Sequence, residues 1–245
     1  MNSFGITDWG KVRRDNQDSF LIERVEGRNC LVAVLCDGMG GEKAGNIASD
    51  LAAKTYAGVL KQRLGSPKLK IADVPRAMQE ACAEANHMVY SYSCFDREYT
   101  GMGTTLVSAV MFDERVFVLN VGDSRAYKLT RKKIIQITRD HSLVQDMVDR
   151  GEISAAEARN HPRRNVITRA LGVDENVPSD SFSPRLMRGD LLLLCSDGLT
   201  NMLEDQEIFR ASREHHDPLS LGRALMGMAL ERGARDNVTI IALTK

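Results

Sequence analysis

Five aspartates, Asp18, Asp37, Asp123, Asp197 and Asp236, stand beside runs of strand-forming residues. Asp18 comes immediately before SFLIERV (19–25), and Asp37 immediately after LVAVLC (31–36). Asp123 follows RVFVLNV (115–121), Asp197 follows LLLLCS (191–196), and Asp236 precedes NVTIIALT (237–244). In an antiparallel pair, the start of one strand lies at the same edge as the end of the other. One edge of a folded sheet pair can therefore collect all five. Aspartate also favours turns, and Asp-Gly is a favoured hairpin dipeptide. Yet Asp37-Gly38 and Asp197-Gly198 lead into helical or irregular chain, not a returning strand. Carboxylates brought together repel unless they share protons or hold a cation. A donor set made only of oxygens suits Mg²⁺, Mn²⁺ or Ca²⁺, not zinc or copper. Gly38, without a side chain, lets its carbonyl approach such an ion.

Other chemistries lack their residues. Gly40 and Gly45 have the span of a phosphate-binding P-loop, but Asn46-Ile47 replaces the required Lys-Ser/Thr. No arginine stands six positions after any cysteine, as a cysteine-phosphatase loop requires. Neither HExxH nor GxSxG occurs.

The elements that must position the aspartates are legible in outline. SFLIERV and LVAVLC read as paired strands. Ile47, Leu51, Ala52, Tyr56, Val59 and Leu60 recur at helical spacing from Glu42 to about Leu64. Asp73 and Pro75 open a second helix running to about Ser93. TTLVSAVMF (104–112) and RVFVLNV form a hairpin around Asp113-Glu114, and KIIQIT (133–138) is a further strand. From Arg139 to about Asp180 the strand pattern lapses, and Ser142-x-x-Gln145 and Ser154-x-x-Glu157 mark short helices. LLLLCS is a buried strand, Asp217-Pro218 opens a helix ending near Gly233, and NVTIIALT is the last strand. Strands come in adjacent groups separated by helix pairs, which predicts an α+β sandwich of antiparallel sheets with helices outside.

The 245 residues are 43% hydrophobic and 27% charged, the balance of a soluble globular chain. Lys and Arg number 33, as do Asp and Glu, so no net field favours nucleic acid or an anionic membrane. Neither is expected as a partner, and a monomer is expected. The first residues hold no apolar run of signal-peptide length, and no segment has the ~18 apolar residues of a membrane span. The five cysteines are scattered, and Cys36 and Cys195 lie in apolar runs, as small buried hydrophobes of a reducing compartment do. A cytoplasmic location is the expectation.

Seven stretches occur in a recognisable order: GKVRRDNQDSF (10–20), LCDGMGG (35–41), GTTLVSAV (103–110), VGDSRAY (121–127), ITRALG (167–172), LLLLCSDGLT (191–200) and RDNVTIIAL (235–243). Together they resemble the metal-dependent serine/threonine protein phosphatases of the protein phosphatase 2C class, in their bacterial stand-alone form. The resemblance implies one domain over 1–245, a four-layer α-β-β-α sandwich with a flap at about 139–180. It implies two or three Mn²⁺ or Mg²⁺ ions. Asp37 would bridge two of them and the Gly38 carbonyl would bind one. Asp197 and Asp236 would bind the other, and Asp18 would hold metal-bound water. Asp123 would help to bind a third, weaker ion together with Asp197. Arg13 would grip the substrate phosphate. A hydroxide shared by the two metals would attack phosphorus in line. The expected substrates are phosphoserine and phosphothreonine in proteins, opposite a cognate serine/threonine kinase. The alternatives are an inactive metal-binding regulatory module or a phosphohydrolase of small phosphoesters.

The chain departs from the family's pattern in the leaving-group step. Met39 stands where animal-type members carry histidine, and Glu42 where many bacterial members carry it. His161 in the flap is a further histidine to locate, and Arg159, Arg163 and Arg164 are candidates to meet a phosphopeptide.

Overall fold

The computed structural model describes residues 1–95, 97–112 and 115–245, and the side chains of all of these except 42, 43 and 97. Among them, eleven strands form two antiparallel sheets. The first sheet runs in the order β1 (Asn2–Asp8), β11 (Val238–Thr244), β10 (Leu191–Cys195), β7 (Arg125–Leu129) and β8 (Ile134–Gln136). The second runs β2 (Asp18–Val25), β3 (Cys30–Met39), β5 (Leu106–Phe112), β6 (Arg115–Val121) and β9 (Asp180–Phe182). The short β4 (Gly103–Thr104) pairs with the end of β3.

The uninterrupted apolar runs are explained by burial on both faces. Leu31, Ala33 and Leu35 of β3 meet Leu192, Leu194 and Ile241 in the core between the sheets. Val32, Val34 and Cys36, on the opposite face, pack under α1 (Gly41–Gly65) and α2 (Val74–Phe95). Leu191, Leu193 and Cys195 of β10 likewise turn outward, to α5 (Asp197–Thr200), α6 (Asp205–Glu214) and α7 (Pro218–Glu231). Three apolar layers thus hold four structural layers, the α-β-β-α order expected. Each fully buried Leu or Val side chain contributes roughly 1.5–3 kcal/mol.

Local signals set the helix starts. Asp217 accepts the Ser220 N–H at 3.0 Å, with Pro218 in the first turn of α7. Segment 139–180 holds α3 (Leu143–Asp149), capped by Ser142, and α4 (Ala155–Arg159), which has the full Ser154–Glu157 capping box. Several elements lacked such signals. Strand β1 is broken in pattern by Gly5, where a Cβ would meet the Phe20 ring at 2.3 Å. Strands β7 and β9 are short, and α6 buries only Ile208, Ala211 and Ser212. TTLVSAVMF is two strands with a break at Thr105. The bend at Asp113-Glu114 lies outside the described residues.

Leu193 is fully buried between β10 and the outer helices. Leu193→Ala should cost about 2–5 kcal/mol of stability, through lost transfer energy and a cavity. Urea unfolding with an unchanged slope checks it.

Candidate metal centre

The register of β2 on β3 sets Asp18 directly opposite Asp37. Both are strand residues, not flanking ones as the apolar runs alone indicated. Pairing continues past the apolar run because Gly38 and Met39 pair with Thr104 and Gly103 of β4. Asp18 is buried, and its Oδ2 accepts hydrogen bonds from Ser196 Oγ (2.8 Å) and Thr239 Oγ1 (2.6 Å) of the other sheet's strand ends. Asp197 opens α5 and accepts the Asn201 amide at 2.9 Å. Asp236 precedes β11, accepts the Asn237 N–H at 2.9 Å, and pairs with the Arg13 guanidinium at 2.8 Å. Asp123 follows β6 on the bend Gly122–Asp123.

Electrostatics report how closely these groups converge. Burial pushes Asp18 up to about 7; the Thr239 and Ser196 hydroxyls oppose this, while Asp197 and Asp236 add to it. Asp37 is raised well above the ordinary carboxylate range, first by burial and then by Asp18, Asp197, Asp123 and Asp236. Burial, Asp197 and Asp140 raise Asp123. Asp197 is pushed up to about 6 by burial and Asp236. The hydrogen bond to Asp236 raises Arg13, against partial burial. A cavity of about 600 Å³ is lined by Arg13, Asp37, Gly38, Asp123, Asp197 and Asp236, among others.

Does this set fit divalent cations? Among the described residues, no three His, Cys, Asp or Glu side chains stand close enough to form a finished cage. Mg²⁺ does not require one, because it keeps several waters and takes one or two carboxylates. Three observations favour the fit. The donors are all oxygens, Asp18, Asp37, Asp123 and Asp197 are destabilised as anions by burial and by neighbouring carboxylates, and Asp18 Oδ1 is buried without a partner. An unpaired buried oxygen costs about 1–3 kcal/mol, which a water or cation would relieve.

Both Asp-Gly steps are forced by close backbone contact. A Cβ on Gly38 would lie 1.9 Å from Gly45 O, and one on Gly198 would lie 1.9 Å from Asn237 O. Thr105, at the strand break, locks the floor: its N–H donates to Asp37 O, and its Oγ1 accepts the Asp37 N–H and bonds Ser124. Sequence reading missed Thr105, Ser196 and Thr239, because each acts across elements distant in the chain, and Asn201, which bonds Asp197 from one helical turn away. Asn237 was also missed, although it adjoins Asp236; its amide binds Trp9 O and Asp15 O and so fixes the loop that carries Arg13. Met39 lines the cavity, and the side chain of Glu42 lies outside the described residues. His161 accepts the Arg163 N–H at 3.1 Å, within its own turn. Arg159 and Arg164 line a second cavity of about 400 Å³, which shares Asp123, Asn165 and Asp197 with the first.

The model of the family described as protein phosphatase 2C matches residues 11–224. The chain belongs to the protein phosphatase 2C family. It is 36% identical to the serine/threonine phosphatase stp of Listeria monocytogenes serotype 4b, over 98% of this chain and 94% of that one. It is 33% identical to the protein phosphatase PhpP of Streptococcus pneumoniae, over 96% and 94%. The crystal structure of serine/threonine phosphatase Stp1 from Staphylococcus aureus superposes with a TM-score of 0.92 at 39% identity, covering 99% of this chain and 94% of that one. The protein phosphatase 2C fold therefore extends over nearly the whole chain.

The raised carboxyls make metal-free stability pH-dependent. Folded Asp18 and Asp197 hold protons up to about 7 and about 6, whereas their ordinary value is 3.8. Between these limits the folded state binds more protons than the unfolded chain, so stability falls as pH rises, by up to about 1.4 kcal/mol per pH unit for each excess proton. Melting in chelator should show a lower Tm at pH 8 than at pH 5, and Asp18→Asn should narrow the gap. A gap of the same size in both proteins would contradict the assignment.

Proposed function

We propose that the aspartate cluster makes this chain a metal-dependent phosphatase of phosphoserine and phosphothreonine in proteins. The convergence of Asp37, Asp123, Asp197 and Asp236 on one cavity, with Asp18 buried opposite Asp37, carries the reading, and the activity named for its relatives supports it. Asp37 would join two divalent cations, with the Gly38 carbonyl on one and Asp197 and Asp236 on the other. Asp123 and Asp197 would take a third, weaker one. Bound there, the cations supply an acidified water at neutral pH and positive charge for the phosphate oxygens.

The chain's own groups do the rest. Asp18, steadied by two hydroxyls, keeps Oδ1 free to accept a hydrogen bond from water and orient it. Arg13 and Asp236 neutralise each other, and Asp236 as a ligand of a cation would leave the guanidinium to a phosphate. Its planar fork matches two phosphate oxygens at once. Met39 has no proton to give, and His161, whose Nδ1 accepts the Arg163 N–H, lines neither cavity. The five cysteines, four of them buried, accord with a cytoplasmic protein, and we assign it a monomeric state opposite a cognate serine/threonine kinase.

Asp37→Ala, Asp197→Ala and Asp236→Ala should each lower kcat by at least about two orders of magnitude while the fold persists. Near-normal turnover of Asp37→Ala at saturating Mn²⁺ would defeat the assignment. Arg13→Ala should act chiefly on KM: a charge-assisted hydrogen bond of about 1.5–3 kcal/mol corresponds to roughly 10–150-fold. Steady-state rates on a phosphoserine peptide and a sugar phosphate, with Mn²⁺ and with chelator, test the substrate class. Preference for the sugar phosphate would replace protein with small phosphoester as substrate.

A further inference from the structure

His141 is 1% exposed at the root of segment 139–180. Its backbone N–H donates to Gly122 O at 2.9 Å, and its Nδ1 accepts the Gly122 N–H at 3.0 Å. One residue therefore engages both backbone groups of the glycine that precedes Asp123. Asn120 adds a second donor to Gly122 O at 3.1 Å. Gly122 adopts φ +104°, and a Cβ there would meet Thr105 at 2.6 Å, so the bend is open only to glycine. A glycine bend has little stiffness of its own, and its shape must come from such partners.

The far side of the ring is also occupied. Nε2 lies 3.2 Å from Asp180 Oδ2, and Arg169 donates to Asp180 Oδ1 at 3.0 Å. Because Nδ1 accepts, the neutral ring carries its proton on Nε2 and donates it to Asp180. Burial holds the His141 pKa below its ordinary value, even against the Asp180 hydrogen bond. The His141 carbonyl accepts the Thr168 N–H at 2.8 Å, and Ser142 bridges to Ile167. His141 thus joins the two ends of the segment to each other and to the bend.

We infer that His141 is the positioning residue that sets the Gly122–Asp123 bend, and through it the direction of the Asp123 carboxylate, while tying that bend to the root of segment 139–180. The inference rests on the assignment of Asp123 to the weaker cation site. It needs only that a ligand's aim depends on its outer partners, whose loss typically costs roughly 10–100-fold in metal affinity or activity.

The two ring nitrogens can be tested separately. In His141→Asn, the amide oxygen can stand near Nδ1 and accept the Gly122 N–H. In His141→Gln, the longer amide reaches toward Asp180 and leaves that N–H without an acceptor. H141N should lose less than about threefold in kcat and H141Q roughly 10–100-fold, with KM for p-nitrophenyl phosphate little changed in either. Calorimetric titration with Mn²⁺ should show the weaker site weakened in H141Q and largely kept in H141N. Hydrogen exchange of the Gly122 amide should be slow in the wild type and H141N, and fast in H141Q. Asp180→Ala, on the short strand β9, should also speed that exchange and covers the case in which H141Q does not fold. Equal losses in H141N and H141Q, or a Gly122 amide unchanged in both H141Q and Asp180→Ala, would overturn the inference. If Asp123→Ala keeps wild-type kcat and Mn²⁺ stoichiometry while Gly122 exchange still separates H141N from H141Q, the cation role of Asp123 fails and the clamp stands.

Discussion

Mutual repulsion among five aspartates is the constraint on which the rest of the structure depends. It shows in every carboxyl of the cluster that is held above its ordinary pKa, where neighbouring anions add to the effect of burial. A chain free to relax would separate these groups. The register of β2 on β3 prevents this, because Asp18 and Asp37 are locked opposite each other by a full antiparallel ladder. Hydrogen bonds from Ser196 and Thr239 to Asp18 then fasten one sheet's edge to the other's. The same features that make the metal-free site unfavourable make it receptive to cations.

Rigidity for this comes from the layered cores. The residues of β3 alternate between the inter-sheet core and the α1–α2 face, so a one-residue slip would exchange every side chain between the two environments. The close contacts of Gly38 with Gly45 and Gly198 with Asn237 apply the same demand at the site. Stability and function are consequently joined at those glycines: any side chain there would displace backbone that carries or supports an aspartate.

The site is also bound to the segment beside it. Asp123 borders both cavities, and the bend that bears it is held by His141, Asn120 and, through Ser124, Thr105. Displacement of the segment's root would thus be felt at a carboxylate, through a short chain of hydrogen bonds. Arg159 and Arg164 line the second cavity, which adjoins the first at Asp123, Asn165 and Asp197.

Much of this was legible in the chain itself. Apolar runs located β3, β5, β6, β10 and β11; the Asp217-Pro218 and Ser154–Glu157 signals located helix starts; seven ordered stretches named the family. The aspartates were identifiable because their type and their place beside strands are local properties. Strand order, the Asp18–Asp37 register, the Arg13–Asp236 pair and the hydroxyls on Asp18 were not. The Arg13–Asp236 pair alone joins residues 223 positions apart, and only the folded packing of both sheets decides which distant groups meet. His141 shows the division most clearly. In the sequence it is one histidine beside a capped helix. Its burial, its tautomer and its hold on Gly122 exist only once β6, β9 and the root of segment 139–180 have closed around it.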